Sequence, residues 1–462
     1  MDPGYGKKGR PMKMIRRFLS YFLLTTLIVL VIYAWPRLPI ITGFAAKGMC
    51  SGVFVGHRAP EDVAARELSF FPISLARTHV DMSDSSVTAS LWGLARRKAV
   101  WRPGLGCALV ADLPEEEVRA RRAHLPPPPY DPDTVAWPRG DLLPPRRPAT
   151  VDTLRLDSLV QAAFDTPGEE PVKKTLAVVV VCRDTLVAEA YAPGISRQTP
   201  LLGWSMTKSI INALVALRAN DLALDLTAPA PVEAWKDDER HRITPVHLLH
   251  MTSGLKWTED YFDISDVTRM LYVHGDMYGY AVSVPAAYPP DSVWYYSSGS
   301  TNILSGILRH TFPDDGEYYC YPYRSLFYRT GMLHTTMEAD AAGTFVGSSY
   351  SYAPARDWAR FGLLYLHDGV FCGDTILPEG WVPLVTRRPA PHSEGHYSAQ
   401  WWLNEGGRMP HVPEDVFYCD GFQGQRVFVI PSRDAVVVRL GWSMKEFDMD
   451  RFLSDILSTL PQ

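Results

Sequence analysis

The sequence predicts an α/β protein with an antiparallel sheet flanked by helices, preceded by one N-terminal transmembrane helix. Three observations carry this prediction. A long uncharged apolar run lies near the amino terminus, and short valine-rich segments alternate with amphipathic segments from about residue 150 onwards. The composition, 46% hydrophobic and 21% charged, is that of a globular protein and excludes a disordered, collagen-like or coiled-coil chain.

The apolar run covers residues 18–35, 18 residues without a charge. At ~1.5 Å per residue, a helix of this length nearly matches a hydrocarbon core of about 30 Å. Residues 1–17 carry a net charge of +5 in a chain whose total is −5. The positive-inside rule therefore predicts a cytoplasmic basic tail at 1–17, a membrane anchor at 18–35 and an extracytoplasmic or periplasmic remainder.

A cleaved signal peptide is the alternative interpretation of the same run. Its apolar region usually has about 7–15 residues and ends at small residues. Here Pro36 and Arg37 follow directly, and small residues come only at Ala45 and Ala46. These features favour a retained anchor.

Two segments precede the main domain. Residues 48–110 form a small N-terminal region in which we find no chemistry. Residues 111–149 contain ten prolines and are predicted to be extended, either as a linker or as a strap. The large rings of Tyr130 and Trp137 favour a strap packed on a surface.

The six cysteines show no metal-ligand spacing, so no metal site is predicted. In an exported chain Cys50 and Cys107 could form a disulfide that brackets the segment after the anchor. Buried, unpaired cysteines are the simpler interpretation. The acidic net charge gives no basic surface for nucleic acid, and no motif indicates a cofactor.

Residues 150–462 are predicted to form one domain with a buried sheet. Its predicted strands lie at 176–181, 186–190, 425–430 and 435–440. Its predicted helices lie at 156–164, ended by Gly168, at 205–220, with Asn220 as C-cap, and at 448–460. Residues 225–290 are predicted to be an insertion of short helices.

The strongest candidate for chemistry is Ser205-Met206-Thr207-Lys208. Side chains three residues apart share a helix face, so the ammonium can meet the hydroxyl. A serine becomes nucleophilic beside a base, and a lysine becomes a base when burial lowers its pKa. The same spacing at Ser253 contains Gly254, which indicates a helix end. Taken alone, the pattern is more simply an N-cap serine followed by a surface lysine.

Two further segments support this assignment. Tyr296 precedes a predicted helix, and a tyrosine there can relay protons when a neighbouring cation lowers its pKa. The run Gly421-Phe422-Gln423-Gly424-Gln425 leads into a strand, where glycines let backbone N–H groups approach a ligand and form an oxyanion hole. Aromatic packing and a strand-entry bulge are the respective alternatives.

Together these segments resemble the serine β-lactamase and penicillin-binding-protein family, most closely its class C branch of esterases and 6-aminohexanoate-dimer hydrolases. The resemblance covers about residues 150–460 and includes Leu248-Leu249-His250-Met251-Thr252-Ser253-Gly254-Leu255. It implies a β-lactamase-like sandwich with a helical lobe and a site in the cleft between them. It also implies Ser205 as nucleophile, Lys208 as base and Tyr296 as proton relay.

Two positions depart from the family pattern. Ser298 occupies the place where many relatives have Asn in a Tyr-x-Asn motif. Phe422-Gln423-Gly424 replaces Lys-Thr-Gly or His-x-Gly, so a charged anchor for substrate is missing. Arg426 is adjacent, but strand alternation should point it away from the face of Gln425.

The predicted function is a membrane-anchored serine hydrolase that forms an acyl-enzyme with an ester, an amide, a short peptide or a β-lactam. Its oxyanion would be held by the backbone N–H groups of Ser205 and Gln425, with Ser298, Gly424 and Phe422 contacting the substrate. The alternative is a ligand-binding or sensory module that is acylated without turnover. The sequence names no particular substrate.

Overall fold

The computed structural model describes residues 10–461 except 145–146, 167, 169–171, 222 and 444–446. The first half of the predicted basic tail therefore lies outside the described residues. The helices are α1 (Arg10–Ala34), α2 (Leu38–Phe54), α3 (Pro60–Arg66), α4 (Glu115–Ala120), α5 (Thr153–Ala162), α6 (Thr207–Asn220), α7 (Pro245–His250), α8 (Asp266–Tyr272), α9 (Met277–Ser283), α10 (Ser298–His310), α11 (Asp315–Pro322), α12 (Ala355–Leu366), α13 (Trp381–Thr386) and α14 (Met449–Leu457).

The strands form four sheets among the described residues. They are β1 (Arg77–Asp81), β2 (Ser86–Leu91), β3 (Leu94–Arg102), β4 (Gly106–Leu109), β5 (Thr175–Cys182), β6 (Thr185–Tyr191), β7 (Leu201–Leu202), β8 (Thr336–Met337), β9 (Ser351–Ala353), β10 (Val370–Phe371), β11 (Asp374–Thr375), β12 (Tyr397–Ser398), β13 (Trp401–Leu403), β14 (Phe417–Gly421), β15 (Gln425–Ile430) and β16 (Ala435–Gly441).

The main sheet has seven antiparallel strands in the order β12-β13-β14-β15-β16-β5-β6. Every residue of β5 and β16 is buried, because helices cover both faces. Val179 and Val438 pack with α6 and α12, whereas Val178 and Val437 pack with α5 and α14. The predicted antiparallel sheet flanked by helices is confirmed, and both predicted hairpins form.

A helical lobe stands beside the sheet, where α10 packs against α6, α7 and α9. Within it, α7 ends at Met251 in the left-handed conformation (φ 63°), so Ser253 lies in a turn as predicted. Two predicted helix ends are wrong by one residue. Asn220 is the last residue of α6 and Asp221 is its C-cap, and α14 begins after Asp448, whose carboxylate accepts from the Arg451 N–H.

The N-terminal region begins with α1, the one described helix that is long and apolar enough to cross a membrane. Helix α2 follows after one short turn and is buried from Thr42 to Val53 apart from Gly48. It packs on the four-stranded sheet β1-β2-β3-β4 and on α8. The folded N-terminal region therefore begins at Leu38, before residue 48.

A buried ion pair fastens this region to the hydrolase-like domain. Lys47 Nζ on α2 lies 2.5 Å from Glu338 Oε2, and burial lowers the pKa of Lys47. Glu338 Oε1 also accepts hydrogen bonds from Ser51 Oγ at 2.9 Å and from the Cys107 N–H at 2.7 Å. One carboxylate thus holds both α2 and β4 against the domain.

The proline-rich segment lies against the surface of the main domain between Pro126 and Gly140. Trp137 Nε1 donates to the Asp184 carbonyl at 2.9 Å, and Tyr328 Oη donates to the Pro126 carbonyl at 2.6 Å. Arg360, which is fully buried, donates to the Pro138 and Gly140 carbonyls, both at 2.7 Å. These contacts hold the segment from Pro126 to Gly140 on the domain surface as a strap.

A disulfide joins Cys50 of α2 to Cys107 of β4, which are 57 residues apart. Removing it frees a long loop in the unfolded chain, so we expect Cys50→Ser/Cys107→Ser to lower the free energy of unfolding by about 2–4 kcal/mol. Urea denaturation monitored by tryptophan fluorescence measures this. The matched control is Cys372→Ser, which alters an exposed free cysteine. An unfolding midpoint equal to that of the control would contradict the disulfide.

Candidate active site

Ser205 lies in a tight turn, Trp204–Met206, at the start of α6. Trp204 has φ +49°, a left-handed conformation that a non-glycine residue adopts only when its surroundings enforce it. Its ring is enclosed by Phe44, Phe422 and Tyr350, with centroids 5.8, 5.6 and 6.1 Å away. The aromatic packing therefore fixes the turn that presents the Ser205 hydroxyl.

Lys208 faces Ser205 from the next turn, as the spacing predicts. Its Nζ donates to Ser205 Oγ at 3.0 Å, to Ser298 Oγ at 3.0 Å and to the Ser348 carbonyl at 2.9 Å. The side chain is 1% exposed. Burial lowers the pKa of Lys208 to about 8, although the negative charges of Glu259 and Asp420 act in the opposite direction. Close to neutral pH a usable fraction of this amine is uncharged.

Ser298 connects Lys208 to a carboxylate that the sequence analysis missed. Ser298 Oγ donates to Glu259 Oε1 at 2.5 Å, and the Ser298 N–H donates to Glu259 Oε2 at 2.9 Å. Glu259 also accepts from Trp257 Nε1 at 2.5 Å and from Tyr261 Oη at 3.2 Å. No sequence motif marks Glu259, because it reaches the site from an irregular loop of the helical insertion.

Tyr296 lies beside this pair, just before α10. Lys208 Nζ is 4.8 Å from the centroid of the Tyr296 ring, so the cation meets the ring face. The sequence predicts that a neighbouring cation lowers the pKa of Tyr296, and the structure does not bear this out. Burial, together with Tyr397 and Glu259, raises the pKa of Tyr296 well above 10, and the hydrogen bond with Ser205 only partly offsets this. The Tyr296 hydroxyl is therefore protonated at neutral pH.

The third motif is a hairpin turn between β14 and β15, which pair Gly421 with Gln425. Gln423 and Gly424 are left-handed, with φ of 62° and 89°, and the Gly424 carbonyl accepts from Arg439 Nη1 at 3.0 Å. The Gln425 side chain is held by the backbone of Gly441, with Oε1 accepting from its N–H at 3.0 Å. The Gln425 side chain is thus occupied by Gly441, and β14 and β15 pack on the Ser205 turn.

Phe422 and Arg426 contact different partners at this hairpin. The Phe422 ring stacks on Tyr261 at 4.9 Å and meets Trp204 edge-on at 5.6 Å. Arg426 forms an ion pair with Asp420, its partner across β14 and β15, as the predicted alternation requires. The Phe422 ring thus occupies the position where the family pattern has a charged residue.

No group of three or more His, Cys, Asp or Glu side chains that could hold a metal ion occurs within the described part of the chain. Two histidines, His247 and His250, lie one turn apart at the end of α7, and His247 Nε2 lies 3.2 Å from Asp291 Oδ2. The pair is a local contact in the helical lobe.

Comparison with known proteins agrees with this architecture. A family model described as Beta-lactamase matches residues 160–453. The 6-aminohexanoate-dimer hydrolase of Paenarthrobacter ureafaciens is 24% identical over 336 residues, covering 65% of this chain and 83% of that protein. A Bacillus anthracis structure titled as a candidate 6-aminohexanoate-dimer hydrolase aligns with a TM-score of 0.58 at 21% identity, covering 73% of this chain and 92% of that one.

A penicillin-binding-protein homologue from Caulobacter crescentus aligns with a TM-score of 0.52 at 15% identity, covering 69% of this chain and 99% of that one. The sheet, the helical lobe and the cleft between them define a β-lactamase-fold protein of the serine hydrolase type. The chain belongs to the beta-lactamase family, as its motifs predicted.

Neutralising Glu259 should lower the pKa of Lys208 further, because the Glu259 charge raises it. We expect the Lys208 midpoint to lie near pH 8 in the parent and at lower pH in Glu259→Gln. Carbon-13 NMR of lysine labelled at Cε measures both titration midpoints, and the Lys208→Met variant identifies the Lys208 signal. Glu379→Gln, an exposed substitution, is the control and should leave the midpoint unchanged. A midpoint that rises in Glu259→Gln would contradict this electrostatic account.

Proposed function

We propose that this protein hydrolyses a neutral ester or amide through an acyl-enzyme at Ser205, with Lys208 as the base. One observation carries the proposal: a fully buried amine with a pKa of about 8 lies 3.0 Å from the Ser205 hydroxyl. An uncharged amine at this distance can accept the hydroxyl proton. The hydrolases among the relatives support the reaction class.

In the proposed first step, Ser205 Oγ attacks the substrate carbonyl and its proton moves to Lys208 Nζ. The backbone N–H groups of Ser205 and Gln425 hold the oxyanion. The C–O or C–N bond then breaks, and the leaving group takes the proton of the neutral Tyr296 hydroxyl while Lys208 Nζ returns its proton to Tyr296. Because the two transfers occur together, no tyrosinate has to form despite the high pKa of Tyr296. Water attacks the acyl-enzyme, releases the acid and restores Ser205.

Glu259 acts as a positioning residue in this proposal. Through Ser298 it fixes the hydroxyl that accepts from Lys208, and it keeps the Lys208 pKa from falling further. Ser298 thereby fills the polar position of the Tyr-x-Asn motif with a hydroxyl that both accepts and donates.

We further propose that α1 anchors the enzyme in a membrane, with residues 1–17 in the cytoplasm and the domain outside it. The helix is apolar and solvent-facing, and the basic residues precede it. A Cys50–Cys107 disulfide is also typical of an oxidising, extracytoplasmic compartment.

The catalytic proposal predicts that Ser205→Ala abolishes both labelling by a fluorophosphonate probe and turnover of p-nitrophenyl esters. Ser253→Ala, which changes the second Ser-x-x-Lys sequence, is the matched control and should keep both. Labelling of the parent without turnover of esters, D-amino-acid amides or nitrocefin would favour an acylated receptor. Unchanged labelling of Ser205→Ala would refute the nucleophile.

The aromatic third motif predicts a substrate preference. Position 422 holds Phe where relatives have a cationic residue that binds the substrate carboxylate. A carboxylated β-lactam therefore lacks a charge-assisted hydrogen bond that contributes about 1.5–3 kcal/mol, or roughly one to two powers of ten in affinity. We expect kcat/KM for neutral esters to exceed that for nitrocefin, and Phe422→Lys to narrow the gap.

Phe422→Leu is the control for this experiment, because it removes the ring without adding a charge. It should leave the ratio of ester to nitrocefin turnover near that of the parent. If the parent hydrolyses nitrocefin as efficiently as its best ester, the preference is wrong, and Arg426 becomes the candidate anchor.

A further inference from the structure

An apolar cleft runs along the side of the candidate active site that faces helix α1. Ile40, Ile41 and Phe44 of α2 form one wall, Phe70 and Phe262 form the sides, and Phe422 closes the inner end. The cavity volume of the cleft is about 80 Å³. Two of these four sides, the α2 wall and Phe70, come from residues before 160, outside the part of the chain that the family model matches.

The inner end of the cleft lies next to the turn that carries Ser205. The Phe422 ring is 5.6 Å from Trp204, the residue before Ser205. Tyr261, which also lines the cleft, donates to Glu259, whose carboxylate holds Ser298 beside Lys208. A chain lying in the cleft would therefore end next to the Ser205 turn.

The outer end of the cleft lies where α1 ends. Arg37, three residues after α1, lines the mouth, and its guanidinium forms a 2.7 Å ion pair with Asp263 and stacks 3.6 Å from the Tyr33 ring. This contact fixes the end of the apolar helix beside the 261–264 loop. The cleft is thus charged at its mouth and apolar inside.

Exposed apolar side chains surround this mouth. Trp35 is 61% exposed, Phe71 is 77% exposed and Phe262 is 68% exposed. Aromatic side chains are enriched at membrane interfaces, where one end of a protein is in lipid and the other in water. With α1 in a bilayer, the mouth would open at the lipid surface.

We propose that the substrate is a membrane-borne amphiphile, an ester or amide whose hydrocarbon chain lies in this cleft. This inference rests on the proposed function, because it assigns the substrate of the same serine. The polar mouth suits the head of such a molecule and the interior suits its chain. The enzyme would take its substrate from the membrane that holds its own anchor.

The test uses the full chain reconstituted in phosphatidylcholine vesicles. Two ester series, p-nitrophenyl esters of acids and acetate esters of alcohols, vary the chain on either side of the scissile bond. Each buried methylene contributes about fourfold in affinity, so we expect kcat/KM to rise at least tenfold from four to ten carbons in one series. No rise in either series would overturn the proposal.

Two variants localise the effect. Phe262→Asp and Ile40→Asp place a charge in the cleft and should lower the ten-to-four-carbon ratio at least fivefold. Phe262 is largely exposed, so its replacement should leave the melting temperature nearly unchanged. Leu154→Asp, an 85% exposed site on α5, is the matched control and should keep the parent ratio. An equal fall in the control would overturn the assignment to the cleft.

The source of the substrate is tested with a sixteen-carbon ester placed either in the enzyme's own vesicles or in separate ones. We expect turnover at least tenfold faster in the shared vesicles, and equal rates would refute supply from the membrane. Turnover of short esters that requires Ser205 but shows no chain preference would reject this inference alone. Turnover that survives Ser205→Ala would reject the proposed function and this inference together.

Discussion

The burial of the Lys208 ammonium is the constraint on which the candidate site depends. The pKa of a lysine in water is too high for the side chain to act as a base near neutral pH. Its pKa falls when the protein excludes water from the ammonium group and places little negative charge beside it. The fold provides this through α6, α10 and the Ser348 carbonyl, which surround Nζ with dipoles. Glu259 and Asp420 act in the opposite direction, so the pKa of about 8 is a balance.

The segment after α1 contributes to that balance indirectly. Phe44 of α2 stacks on Trp204, which is strained into the left-handed region directly before Ser205. Lys47, one turn later, is tied to Glu338 of the main domain. Helix α2 thus packs behind the turn that carries Ser205. The N-terminal region and the candidate site are parts of one packed unit.

Much of this arrangement could be predicted because it depends on local patterns. The Ser205 and Lys208 side chains meet through helical spacing, and the valine-rich strands are recognisable from their burial on both faces. The family resemblance added Tyr296 and the third motif. All of these features are carried by short stretches of sequence.

What could not be predicted depends on contacts between distant segments. Glu259 lies 39 residues before Ser298 and has no motif of its own. Helix α2 is about as apolar as the predicted anchor at residues 18–35. The sequence therefore did not indicate that α2 packs on Trp204 and lines a cleft. The pKa of Tyr296 also follows from burial among Tyr397 and Trp402, which strand pairing in the main sheet brings to the site.

A buried lysine with a lowered pKa has a consequence for stability. The folded protein releases the Lys208 proton near pH 8, whereas the unfolded chain keeps it to about 10.5. Between these values the unfolded chain binds more protons, so the contribution of Lys208 to stability increases as pH rises through that window. Below pH 8 the folded state carries a charged group in a dry site, at a cost of about 3 kcal/mol. The buried Val-rich sheet and the helices packed on both of its faces offset that cost.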